Sequence, residues 1–238
     1  MIISYAKRFV MFAPWKTAST TLHARLKPFN ESPYDRFFHF CPFLNRVVHQ
    51  HLTCAEFLAY PESREGFLIG SFVRNPYDRA YSGFVQLQSD AQTMMKMPFP
   101  SEWIRSHVKR QVAENFAQLF AADFDFDRWM LGVAEEQVFD VGRNTSFPLH
   151  PSHYWTHVAG RQYASFIGRV EDFEHDMDAF CARVGIEVPA RASENVRTSA
   201  AAESAQRYRY TERMSRAAID RINALFGEDF ERFGYDKV

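Results

Sequence analysis

Arg8-Phe9-Val10-Met11-Phe12-Ala13-Pro14-Trp15-Lys16-Thr17-Ala18-Ser19-Thr20-Thr21-Leu22 reads as a strand, a turn and the start of a helix. The run Arg8 to Ala13 is almost continuously apolar, which is the pattern of a parallel strand covered on both faces. Leu22 and Leu26 then stand four apart, on one side of a helix that Ser19 or Thr20 is placed to cap. Phe67 to Val73 repeats the theme, and Asn75-Pro76 ends that strand, asparagine being a favoured cap and proline a favoured first helical residue. Ser165 to Val170 reads as a third strand. Strands alternating with helices predict an α/β class with a central parallel sheet flanked by helices.

The helical stripes follow from spacing. Tyr77, Tyr81, Phe84 and Val85 are expected to face inward after Pro76, and Phe173, Met177, Phe180, Cys181 and Val184 form a later stripe closed by Gly185. Thr53-Cys54-Ala55-Glu56 has the capping-box form, so a short helix is expected just after His51. Met214, Ala218, Ile222 and Leu225 predict a final helix with Gly227 past its end. Asp123 to Asp127 lacks the glycine and closing glutamate of a calcium loop and is read as a helix start.

The chain has 238 residues, 46% hydrophobic and 16% aromatic, which suits one folded domain spanning 1–238. With 28 Lys and Arg against 29 Asp and Glu the formal charge is −1, without the basic excess of a nucleic-acid binder. Cys41, Cys54 and Cys181 are too scattered for a disulfide framework or a CxxC metal site, and are read as reduced, buried thiols. The amino-terminal apolar stretch is broken by Lys7 and Arg8, well short of the roughly 20 residues of a membrane span. The expectation is a cytoplasmic protein with no transmembrane segment.

Three segments carry chemistry. A turn that feeds a helix N-terminus aims several amides and the helix dipole at one point, and Lys16, Thr17, Ala18, Ser19, Thr20 and Thr21 lie there. No glycine occurs in this loop, so it is not a Walker A sequence, and an ordinary turn with a solvated lysine is the other reading. Arg74 ends the second strand at the carboxyl edge, where α/β proteins bind ligands, and Ser82 follows on the next helix. A structural ion pair is the alternative for Arg74, and Asp78 and Arg79 are read as surface or structural pairs. His49 and His51 precede the capped helix and supply candidate bases, or else a histidine pair satisfied at a helix start.

Trp15 to Thr21 and Arg74-Asn75-Pro76-Tyr77-Asp78-Arg79-Ala80-Tyr81-Ser82 together resemble the nucleotide-binding motifs of sulfotransferases. The resemblance is to the carbohydrate family that includes heparan sulfate 2-O-sulfotransferase, and it implies a P-loop-like three-layer α/β fold. It implies 3′-phosphoadenosine 5′-phosphosulfate (PAPS) as co-substrate, with Lys16 catalytic and the Lys16 to Thr21 segment holding the 5′-phosphosulfate. It also implies that Arg74 and Ser82 bind the 3′-phosphate. His49-Gln50-His51 is similar to the H-x-H segment of that branch, whose second histidine, here His51, is taken as the base, with His49 next in line. Ile167 to Phe173 and Phe230 to Tyr235 resemble later family segments, whereas the stretch from about Ala91 to Tyr154 resembles nothing and is where acceptor specificity is expected. The family's proline before the loop lysine is replaced by Trp15. Arg197 is a further candidate for the 3′-phosphate, or a solvated loop arginine.

The implied reaction is sulfuryl transfer to a hydroxyl, on a carbohydrate, with no metal required and no nucleic-acid partner. A P-loop kinase and a non-catalytic nucleotide- or glycan-binding module are the competing readings. His150, His153 and His157 lack metal-site spacing, and one of them can lie near the acceptor. Arg105, Lys109 and Arg110 form either a solvated helix face or a contact for an anionic sugar chain. The acceptor and the oligomeric state are not legible in the sequence.

Overall fold

A computed structural model describes residues 1–32, 38–60, 65–93, 96–187 and 211–238. The chain divides into two compact units: residues 1–37, 50–74 and 152–205, and residues 38–49, 75–151 and 206–238.

The first unit is built on a four-stranded sheet of order β1-β2-β5-β8, with β1 Ile2–Ser4, β2 Phe9–Phe12, β5 Leu68–Val73 and β8 Phe166–Arg169. β2, β5 and β8 are parallel, in register Met11↔Gly70 and Val73↔Arg169. All three expected strands are therefore present, each trimmed by a residue or two. The sheet is not wholly parallel as expected, because β1 pairs antiparallel with β2 at one edge. Alternation along the strands decides what covers them. Phe9 and Met11 pack with Leu22 and Leu26 of α1 (Ser19–Leu26) and with Met177 and Phe180 of α7 (Phe173–Val184). Phe12 faces the other way and meets Phe57 of α2 (Cys54–Leu58) edge-on at 5.5 Å. Helices thus cover both faces, which is why these strands read as unbroken apolar runs.

The α2 cap forms as the sequence predicts: Thr53 Oγ1 accepts from the Glu56 amide, and the Thr53 amide donates to Glu56 Oε2 at 2.7 Å. α7 ends at Gly185, left-handed with φ 63°. Residues 157–158 (β6) and 161–162 (β7) form a small hairpin.

The second unit holds the hairpin of β3 (Phe38–Cys41) and β4 (Arg46–His49) and a cluster of helices. These are α3 (Pro76–Thr93), α4 (Glu102–Ala121), α5 (Phe126–Gly132), α6 (Glu135–Phe139), α8 (Arg216–Leu225) and α9 (Gly227–Phe233). Asn75 Oδ1 accepts from the Tyr77 amide and Asp125 from the Arg128 amide, so both expected helix starts are real. Two expectations are corrected. Val85 is 40% exposed; the buried stripe of α3 is Tyr77, Ala80, Phe84 and Leu87, whose three- and four-residue steps stay on one face where Val85 rotates off it. Gly227 lies past the end of α8 as expected, but α8 is not the final helix and Met214 precedes its Ser215 cap; Gly227 starts α9, which buries Phe230 and Phe233 and stops at the left-handed Gly234.

The three cysteines are buried and unbridged. Among the described residues, no helix is long and apolar enough to cross a membrane.

Candidate active site

The turn from Ala13 to Ser19 leaves the carboxyl end of β2 and enters α1. Its backbone is left-handed at two non-glycine residues, Lys16 (φ 64°) and Ala18 (φ 59°, ψ 30°). A side chain in that region costs about 1–2 kcal/mol, so the loop holds strain that a glycine would relieve. The Thr17 hydroxyl donates to the Pro14 carbonyl at 3.0 Å and is fully buried, bracing the turn from inside. Ala18 and Ser19 are half-buried, as is Thr21, and Thr20 is exposed.

Neither Ser19 nor Thr20 caps α1, contrary to expectation. Ala18 occupies the cap position with no side-chain hydrogen bond, because the left-handed turn brings Ser19 and Thr20 inside the helix rather than ahead of it. No acidic residue lies in the first turn either. The positive end of this helix is therefore not neutralised by its own sequence.

Arg74 follows β5 directly, on the same sheet edge as the loop. Its Nη1 donates to the Lys16 carbonyl at 3.4 Å, joining the two expected phosphate-binding segments within the first unit. Among the described residues no carboxylate pairs with Arg74, so the structural ion pair that the sequence left open does not form. The rest of its guanidinium fork remains available for an anion.

His51 sits against the same loop. Its Nδ1 is hydrogen-bonded to the Ala13 carbonyl, and its ring centroid is 4.3 Å from that of Trp15. A carbonyl only accepts, so Nδ1 carries the proton and the basic lone pair falls on Nε2. The indole Nε1 of Trp155 donates to the His51 backbone carbonyl at 3.1 Å. Burial holds the imidazole well below the ordinary histidine pKa; the amino-terminal ammonium, His23 and Lys16 push the same way, against the Ala13 hydrogen bond. His51 is therefore neutral at pH 7, as a general base must be.

The other candidates each have their own surroundings. His49 belongs to the second unit, where it is buried against Phe38 with ring centroids 4.6 Å apart. Ser82 is half-buried on α3, also in the second unit. Arg79 is a structural residue: it is 1% exposed, pairs with Asp229 at 3.5 Å and donates to the His150 carbonyl at 2.7 Å. Arg197 lies outside the described residues. His150 is buried with Nδ1 2.9 Å from the Val138 carbonyl, and burial lowers its pKa to about 4. His157 Nδ1 bonds the Thr156 hydroxyl at 2.7 Å. Among the described residues no three histidine, cysteine or acidic side chains group as metal ligands.

Trp15, Trp155 and the Ala13 carbonyl are the site features that sequence reasoning missed. Trp15 was visible as a departure from the motif, but a pattern does not reveal what a ring covers.

A strained strand-to-helix turn, an arginine bonded to it directly after β5 and a neutral histidine seated on it meet at the carboxyl edge of the sheet of an α/β protein. Residues 8–236 match the model of the Sulfotransferase family, and the chain belongs to that family. Its reaction class is sulfuryl transfer. No curated protein and no solved structure matches the chain.

Proposed function

We propose that the protein transfers a sulfuryl group from PAPS to an acceptor hydroxyl on a carbohydrate, leaving 3′-phosphoadenosine 5′-phosphate. The observation that carries this reading is the convergence of Lys16, Arg74 and His51 on one loop at the carboxyl edge of the sheet. The residues fit such a donor: an uncapped helix N-terminus with no acidic residue in its first turn suits a 5′-phosphate, and an arginine with no carboxylate partner among the described residues suits a second phosphate.

In this mechanism the amides of Thr17 to Thr21, with the hydroxyls of Ser19, Thr20 and Thr21, hold the 5′-phosphosulfate. Arg74 and Ser82 hold the 3′-phosphate, and Arg197 adds a contact to it. His51 Nε2 takes the proton of the acceptor hydroxyl as its oxygen bonds to sulfur, while the bond from sulfur to the phosphate oxygen breaks. Lys16 neutralises the charge that collects on that leaving oxygen. Positioning and charge stabilisation supply most of the acceleration, as in phosphoryl transfer. The family match runs through both units, which supports a single domain over 1–238.

The test is a thermal-shift titration with 3′-phosphoadenosine 5′-phosphate against AMP, ADP and ATP with Mg²⁺. A ligand at 100 times its Kd adds about 2.7 kcal/mol of stability. Selective stabilisation by the 3′-phosphorylated nucleotide, followed by labelled sulfuryl transfer to a panel of oligosaccharides, is the expected result. A response to ATP with Mg²⁺ alone points to a kinase, and binding without transfer across the panel to a non-catalytic module.

A further inference from the structure

We propose that Trp15 is a positioning residue: together with the Ala13 carbonyl it clamps the His51 imidazole to the donor loop, so that the loop carrying Lys16 also sets the ring plane and tautomer of the base. The inference rests on the reading of His51 as the proton acceptor. Trp15 is 7% exposed and His51 6%, and their rings lie 4.3 Å apart at an interplanar angle of 43°. The two contacts come from residues two apart in one strand-to-loop passage, one fixing Nδ1 and the other covering the ring. Trp155 holds the backbone of the same residue from behind.

The consequence is a coupling between donor site and base. A shift of the loop that moves Lys16 also moves the carbonyl and the indole that orient His51. A proline at position 15, usual in the resembling family, has no aromatic ring to cover the base, so the residue that departs from the motif acquires a role in this chain.

The charged and titratable groups facing His51 are Lys16 on the loop, His23 on α1 and the amino-terminal ammonium, which donates to the Gln50 carbonyl at 2.6 Å. Glu56 on α2 is engaged by its capping box, and His153 flanks Trp155 in the turn Ser152–Trp155. Trp15→Ala leaves every one of these ionisable groups in the chain, so a shift in His51 titration there is read as the loss of the indole.

The experiment is nitrogen and carbon NMR of the histidine-labelled full chain, with His51 assigned by its loss in His51→Asn, alongside the pH profile of labelled sulfuryl transfer from PAPS to pooled oligosaccharides. In the unaltered protein the protonated nitrogen of His51 should be Nδ1, with ring-current shifts from the indole; an Nε2–H tautomer or unshifted ring protons would overturn the proposal without any variant. Trp15→Ala should raise the His51 titration by about one pH unit, a tenfold change in protonation. It should also mix the tautomers and carry the acid limb of kcat upward by the same amount, and Trp15→Phe should restore all three. An unchanged His51 titration in Trp15→Ala overturns the proposal whatever happens to turnover. An acid limb that survives in His51→Asn instead removes His51 as the base, and the proposal falls with it.

Discussion

Arg74 Nη1 donates to the carbonyl of Lys16 at 3.4 Å, so the residue that follows β5 braces the backbone in the middle of the loop after β2. One arginine thus both shapes that loop and presents a cation at its rim. Arg74→Ala removes both effects, and a lost hydrogen bond to a charged group is worth about 1.5–3 kcal/mol. Affinity for 3′-phosphoadenosine 5′-phosphate should fall roughly 10- to 100-fold by calorimetry. Arg74→Lys should recover little of it, because an ammonium lacks the fork that serves the carbonyl and a phosphate at once.

The left-handed conformations of Lys16 and Ala18 make stability and function separable within the same turn. Ala18→Gly relieves the side-chain strain but gives the unfolded chain more freedom, and the balance favours the folded state by up to about 1 kcal/mol. Chemical denaturation should show that gain with donor affinity kept. Lys16→Ala keeps a side chain in the strained position and removes the charge, so turnover should fall about 10²- to 10³-fold at little cost in stability. Equal losses of stability in both variants would contradict the assignment.

The strands and the capped helix were legible because each is a local pattern: apolar runs at Phe9–Phe12 and Leu68–Val73, and Thr53 three residues before Glu56. β1 was not, since it is three residues long and gains its identity only from the register Ile3↔Val10. The hairpin of β3 and β4 has no Gly-containing two-residue turn to announce it; Asn45 takes the left-handed position instead. In the site, the types and order of Lys16, Arg74 and His51 were readable. Their mutual contacts were not, because the bonds from Arg74 to Lys16 and from His51 to Ala13 close across separations of 58 and 38 residues. The separation of His49 from His51 into different units is also invisible in an H-x-H pattern.

Arg79 and Asp229 are each 1% exposed and 3.5 Å apart, with the guanidinium also over the ring of Phe226 at 5.2 Å. Removing one partner strands a buried charge, which typically costs 3–5 kcal/mol, whereas an apolar replacement of both is far better tolerated. Arg79→Met should therefore lower unfolding stability by about that amount, and the double change Arg79→Met, Asp229→Leu should recover a large part of it. The surface pair of Arg105 with Glu102, both more than half exposed, gives the contrast: Arg105→Met should change stability by less than about 1 kcal/mol.

His51 and His150 are both buried, and burial depresses the pKa of each, to about 4 for His150. In the unfolded chain the same rings take up protons near the ordinary value of about 6.5. Below that pH the unfolded state binds more protons than the folded one, so stability is full above about pH 6.5 and declines as the pH falls toward the folded values. Each ring contributes a slope of up to about 1.4 kcal/mol per pH unit in that window, and for His150 the slope ends near pH 4. Urea unfolding from pH 7.5 to 4.5 in roughly half-unit steps should reveal it. His150→Gln should flatten the curve by one ring's share, and a curve of undiminished slope in that variant would place the proton uptake elsewhere.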